Sequence, residues 1–177
     1  KPIAATAVEV ADICERAEVT GTRLGCLYHA RRAPEVSWGQ QIANNRQTPV
    51  HRVEASFCDP YGTTPEAERQ ATYGSPWFDS GINALSVLDH FVHVDRLERV
   101  ARRSTDLTDH VATTDPDTSV AVDLWCSWQV TSASKVTRIE FTDGVTMVLD
   151  HQATAGRIYE QGSLVETFGV DGTVARL

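Results

Sequence analysis

Between residues 119 and 130 the side chains alternate. Val120, Val122, Leu124, Cys126 and Trp128 fall on one face, and Ala121, Asp123, Trp125 and Ser127 on the other. A period of two marks a strand buried on one face only. Such a strand needs neighbours for its hydrogen-bonding edges and a cover for its apolar face. Residues 50–57 alternate in the same way, with His51, Val53, Ala55 and Phe57 opposite Arg52, Glu54 and Ser56. Further strands are read at 95–103, 136–141, 146–151, 157–160 and 164–168, and Asp143-Gly144 and Gln161-Gly162 supply hairpin turns. The cover is the stretch from Ile82 to Val92. Ile82, Ala84, Leu85, Val87, Leu88, Phe91 and Val92 make a helix there apolar almost all round, so it is expected to be buried.

The beginning of the chain has a different idiom. Thr6-x-x-Glu9 is a capping box, and Val10, Ile13, Cys14 and Ala17 follow at helical spacing, giving a helix over 6–18 closed by Gly21. Residues 24–28 then read as a short, near-continuous apolar strand. Helix followed by buried strand is half of a βαβ unit, the idiom of a parallel sheet. The strand that should precede the helix is missing, and the chain starts Lys1-Pro2 without methionine, so it reads as a piece of a larger protein. Pro34 suits the first turn of a second helix, 34–44. Residues 58–76 form a long polar loop, of a kind that serves as a lid or binding segment and is equally often disordered. The chain is therefore α+β, with a boundary near 32–48 between an α/β remnant and an open antiparallel or mixed sheet with helices on one face.

A net charge of −8 leaves no basic stripe to neutralise phosphates, which argues against nucleic acid and anionic membranes as partners. No apolar run approaches the ~20 residues of a membrane span, and no signal peptide is expected. Cys14, Cys26, Cys58 and Cys126 are scattered, without metal-ligand spacing, and read as free thiols of a reducing compartment, hence a cytoplasmic protein. His90 and His93 could meet one metal, but no third ligand announces itself, and no metal is expected.

The chemistry concentrates in residues 75–88, a turn that becomes the buried helix. Pro76 and Gly81 punctuate its entry, and Asp79 or Ser80 can cap its first turn. Asp79 and Asn83 are four apart and share a face at the positive end of the helix dipole. A buried helix that opens with a carboxylate and an amide is costly unless something uses them. A plain N-cap and a satisfied amide fit the spacing equally well.

These motifs resemble a known family. Lys1-Pro2 leading into Ile-Ala-Ala-Thr-Ala-Val-Glu-Val is similar to the end of the Glu-Lys-Pro motif and following helix of the glucose–fructose oxidoreductase/inositol dehydrogenase (Gfo/Idh/MocA) family. His29-Ala30-Arg31-Arg32-Ala33-Pro34 resembles that family's link between domains. Asp79-Ser80-Gly81-Ile82-Asn83 is similar to its D-x-G-x-H motif with Asn for His, as in the branch of L-arabinose and D-galactose 1-dehydrogenases. The likeness spreads over most of the chain and is strongest at 1–34 and 75–100.

The resemblance implies a truncated Rossmann domain over 1–33, its last helix and strand, followed by a substrate-binding α+β domain over 34–177. It implies NAD or NADP as cofactor, a small sugar as substrate, and a homo-oligomer interface on the open sheet. No G-x-G-x-x-G occurs in the chain, so the main cofactor site is expected upstream of Lys1 and the fragment alone is expected to be inactive. Oxidising the anomeric C1 hydroxyl of an aldose to an aldonolactone needs a proton acceptor and a group that polarises the oxygen. Lys1, Asp79 and Asn83 are the catalytic candidates. Asp79 is the natural proton acceptor with Lys1 as rival, and Asn83 hydrogen-bonds sugar hydroxyls. Lys1 and Pro2 would also touch the cofactor. His29, Glu54 and Trp128 are the substrate-binding candidates, against a linker histidine and a core tryptophan. The His that the arabinose branch carries in the loop matching 54–64 is absent, and Glu54 or Asp59 could stand in for it. Another sugar or polyol dehydrogenase of the same family, or a non-catalytic sugar-binding or oligomerisation module, are the competing readings.

Overall fold

The computed structural model describes residues 3, 4 and 6–169. An eight-stranded open sheet organises it: β1 (Val50–Cys58), β2 (Glu98–Ser104), β3 (Thr108–Thr114), β4 (Ala121–Ser127), β5 (Ser134–Phe141), β6 (Thr146–Asp150), β7 (Ala155–Glu160) and β8 (Ser163–Phe168). The spatial order is β2-β3-β4-β1-β5-β6-β7-β8. The pair β1–β4 is parallel and every other pair is antiparallel, so the sheet is mixed.

The alternation decides which face is covered. Val53, Ala55 and Phe57 stand beside Val122, Leu124 and Cys126 of β4 and Ile139 of β5, all buried. Helices α2 (Pro34–Asn45) and α4 (Ile82–Leu88) add Val36, Ala84, Val87 and Leu88 to the same core. On the opposite face Arg52 bridges Glu54 and Asp123, and Trp125, 43% exposed, lies beside His110. Among the described residues that face carries no helix of the core.

Both hairpin turns form as read. Gln161 and Gly162 have φ of +49° and +79°, the pair of positive values a type I′ hairpin turn needs. β3 escapes the pattern reading because its core position is filled by Asp109, fully buried and bound twice by Arg102, at 3.0 and 2.8 Å. A charged pair in an apolar slot erases the period that would announce a strand. The long polar loop likewise contains an eight-residue helix, α3 (Glu66–Tyr73).

The N-terminal segment differs from expectation. Helix α1 (Ala7–Thr20) has its capping box, with Thr6 and Glu9 bonded reciprocally at 2.9 and 3.2 Å, and Gly21 at φ +66° closes it. None of its residues is buried, and Val8 is 77% exposed. Residues 24–28 are not a strand. They pair with no other strand among the described residues, and an extended segment without a ladder partner has no regular bonds to make. Leu27 stands 78% exposed in consequence.

Beneath the sheet's covered face lies a polar knot. Glu35 of α2 meets His151 Nδ1 at 2.9 Å, and His151 Nε2 meets the Thr137 hydroxyl at 2.9 Å, all three buried. The His151 ring packs against Phe57, with centroids 5.2 Å apart. This knot ties the first turn of α2 to β5 and to the end of β6.

Candidate active site

The turn before α4 is helical earlier than the sequence suggests. Trp77–Gly81 form a π-helical turn that runs straight into Ile82–Leu88. Asp79 donates its backbone N–H to Ser75 O at 2.9 Å, so Asp79 lies inside the helical turn and is not its cap. Ser75 takes the capping contact, accepting from Phe78 N at 3.3 Å. The widened turn has a steric cause: a Cβ on Gly81 would sit 2.6 Å from the Trp77 ring. Only glycine lets that indole lie against its own helix. Arg102, held by Asp109, covers the ring from the β2 side at 5.9 Å. Single-turn π segments recur at functional sites because they re-aim the side chains they carry.

The turn packs on β4 and β1, and Ser80 reaches the residue that follows β1. Ser80 Oγ donates to Asp59 Oδ2 at 2.9 Å and lies 3.5 Å from Asp79 Oδ2. Lys135 Nζ sits 2.8 Å from Asp59 Oδ1. Asp59, Asp79 and Ser80 are buried, whereas Lys135 keeps 29% of its side chain exposed. Asn83, half-buried, donates from Nδ2 to Asp79 O at 3.0 Å, stapling the widened turn, and its own carbonyl accepts from Ser86 Oγ at 2.7 Å. Asn83 therefore meets the backbone of Asp79 and not its carboxylate, the contact of a satisfied amide, and Asp59 reaches the Asp79 carboxylate only through Ser80.

The other candidates go elsewhere. Glu54 is in mid-strand on the open face, bound to Arg52, with the sheet between it and Asp79. Trp128 is 1% exposed and packs among Tyr61, Tyr73 and Arg69, the two tyrosines stacked 4.4 Å apart. Its ring is thus wrapped by the segment that carries α3. His29 is exposed at the start of the 3-10 turn Ala30–Arg32. Lys1 and Pro2 lie outside the described residues. The sequence offers Ser80 only as a cap and gives no signal for Lys135. It reaches the site through sheet register, as the partner of Phe57.

Burial pushes the Cys126 thiol up to about 12, so it stays protonated. Burial, then the charge of Asp59, holds the Tyr61 hydroxyl above its usual range and keeps it a donor.

The far end of α4 is clamped to the linker. Arg31 donates to Ser86 O and pairs with Asp89, while His90 Nε2 donates to Arg31 O at 3.1 Å. Burial lowers the His90 pKa below its ordinary 6.5, outweighing that hydrogen bond. A depressed histidine contributes stability that is present above the unfolded value and is lost as pH falls below it. Replacing His90 with Gln should therefore flatten the decline in the melting midpoint between pH 6.5 and more acid values.

No family model matches the chain, and no curated protein matches it. Solved structures do. The open mixed sheet with its few helices matches the C-terminal domain of Gfo/Idh/MocA oxidoreductases. A D-galactose-1-dehydrogenase from Rhizobium etli is 26% identical over 94% of this chain and 55% of that one, with a TM-score of 0.71. A UDP-N-acetylglucosamine 3-dehydrogenase from Acidithiobacillus ferrooxidans is 16% identical over 97% and 55%, with a TM-score of 0.72. GenD2 from gentamicin A biosynthesis, solved in complex with NAD, is 18% identical over 86% and 47%, with a TM-score of 0.73. The chain spans about half the length of each of these proteins.

Proposed function

We propose that the chain is the sugar-binding part of an NAD(P)-dependent oxidoreductase of the Gfo/Idh/MocA family, oxidising the C1 hydroxyl of an aldose to an aldonolactone. The observation that carries this reading is the buried Asp79 on a π-helical turn packed on β4 and β1, one turn before Asn83. The identity with a D-galactose-1-dehydrogenase supports it.

In this reading Asp79 takes the proton of the C1 hydroxyl, and Asn83 orients the sugar's hydroxyls. Lys1 stabilises the developing alkoxide and, with Pro2, borders the cofactor. A bound NAD or NADP supplies the hydride acceptor. No glycine-rich strand–turn–helix occurs among the described residues, so residues 1–33 are assigned to the last part of the nucleotide domain, not to its phosphate cradle. His29, at the linker, remains a proposed sugar contact. Trp128 contributes only if the α3 segment lifts from it. Asp59 replaces Glu54 as the carboxylate placed to help. The open sheet face, with Trp125 exposed on it, is the proposed surface for self-association.

The test is turnover by the protein joined to its upstream nucleotide domain. NAD+ and NADP+ are supplied with L-arabinose, D-galactose, D-xylose and myo-inositol, and cofactor reduction is followed. Reduction with an aldose is expected. Reduction with the inositol and no aldose moves the chemistry to a ring hydroxyl, and no turnover on any of them leaves a binding module.

A further inference from the structure

We infer that residues 60–74 form a lid that is latched on Trp128 and opens as a unit, uncovering that indole. The inference goes beyond the proposed reaction and does not depend on it. Trp128 follows directly on β4 and Asp59 on β1, and Asp59 N donates to Ser127 O at 2.9 Å. The residue that anchors the lid thus neighbours, at the ends of paired strands, the carboxylate that accepts from Ser80.

The segment is bonded to itself. Among the described residues, every hydrogen bond of residues 60–74 ends within 59–75, as Tyr61 N on Asp59 O, Thr64 N on Tyr61 O, Arg69 Nη1 on Thr64 O and Gln70 Nε2 on Glu66 Oε1. The stack of Tyr61 on Tyr73, with centroids 4.4 Å apart, is internal as well. The segment reaches the sheet through Tyr61, Tyr73 and Arg69, which lie 6.2, 6.2 and 5.5 Å from the Trp128 ring, and through the close approach of Gly62 to the Trp128 carbonyl. Lifting it gives up those contacts and keeps the rest, so it moves as one piece.

Closing is also costly. Arg69 is the one buried residue between 60 and 75, and it is a cation. It pairs with no acid among the described residues, and its Nε has no acceptor; nor has Nε1 of Trp128, the ring it covers. Opening gives the guanidinium and the indole N–H the acceptors that the closed state denies them, and so returns part of the desolvation cost. A segment that buries an unpaired charge and little apolar surface lies at the low end of the stability range within its fold. A structural plug would be built the other way round, with apolar side chains buried and main-chain bonds to the sheet.

Trypsin reads this opening at the buried residue itself. Cleavage after Arg69 requires its guanidinium to leave the Trp128 ring, and cleavage of a rarely open segment tracks its open population. In the native chain the Arg69–Gln70 bond should be cut at least about a hundredfold faster than the Arg52–Val53 bond of β1, both followed by mass spectrometry as initial rates from the intact chain. A Cβ on Gly62 would stand 2.7 Å from the Trp128 carbonyl oxygen, so Gly62→Ala pushes against the closed lid. Gly62 lies outside α3, so the variant leaves that helix's own fraying untouched. It should speed the cut after Arg69 by about tenfold more and leave both the cut after Arg52 and the melting midpoint unchanged. Equal rates at the two bonds in the wild type, an equal rise at both in Gly62→Ala, or a Gly62→Ala rate after Arg69 within about twofold of the wild type would overturn the inference.

Discussion

Asp79→Asn is expected to cut turnover by ~10²-fold or more in the protein joined to its nucleotide domain, with little change in folding. The amide has the carboxylate's shape and can keep the contact with Ser80, which lies 3.5 Å away. What it lacks is the capacity to accept a proton at neutral pH. The loss should therefore fall on kcat, with sugar binding largely kept if Asn83 and Asp59 serve as the proposed sugar contacts. Steady-state kinetics beside a thermal melt check this. A loss of less than about threefold with the fold intact would move the proton acceptor to Lys1.

The second large effect concerns stability. Glu35→Ala should cost about 3 kcal/mol or more and lower the melting midpoint by roughly 10 °C. Glu35 is fully buried at the first turn of α2 and meets His151 Nδ1, while the other ring nitrogen meets Thr137. Truncation leaves His151 Nδ1 without that partner and a void between α2 and the sheet. Replacement by Gln keeps an oxygen for the ring and should cost markedly less. Chemical denaturation of the three proteins measures both. A Glu35→Ala variant within about 1 kcal/mol of the wild type would show that the knot does not hold α2 to the sheet.

The sheet was legible wherever its covered face is built of apolar residues, as at Val53, Ala55, Phe57 and Val122, Leu124, Cys126. It was hidden where a buried polar group takes a core position. Asp109 conceals β3, and Thr137 interrupts β5 without ending it. The unpaired stretch 24–28 shows the converse: its composition suits a strand, but a strand exists only through its neighbours. At the site, Asp79 and Asn83 could be read because both lie within one helical turn. The cap assignment missed because the helix starts at Trp77, a shift set by the packing of an indole on Gly81. Lys135 lies far beyond Asp79 in the chain, and only the register of β5 against β1 brings it to Asp59. Glu54 and Asp59 are close in the chain, yet one faces away through the sheet and the other follows its end.

The central claim is that the Asp79 turn serves oxidation at C1. It is tested most directly with an aldose carrying deuterium at C1, supplied with oxidised cofactor to the protein joined to its nucleotide domain. The account predicts that deuterium appears on the nicotinamide ring of the reduced cofactor, that the sugar is recovered as its lactone, and that Asp79→Asn suppresses both. Reduced cofactor without deuterium, with the label still at C1 of the sugar, would contradict it.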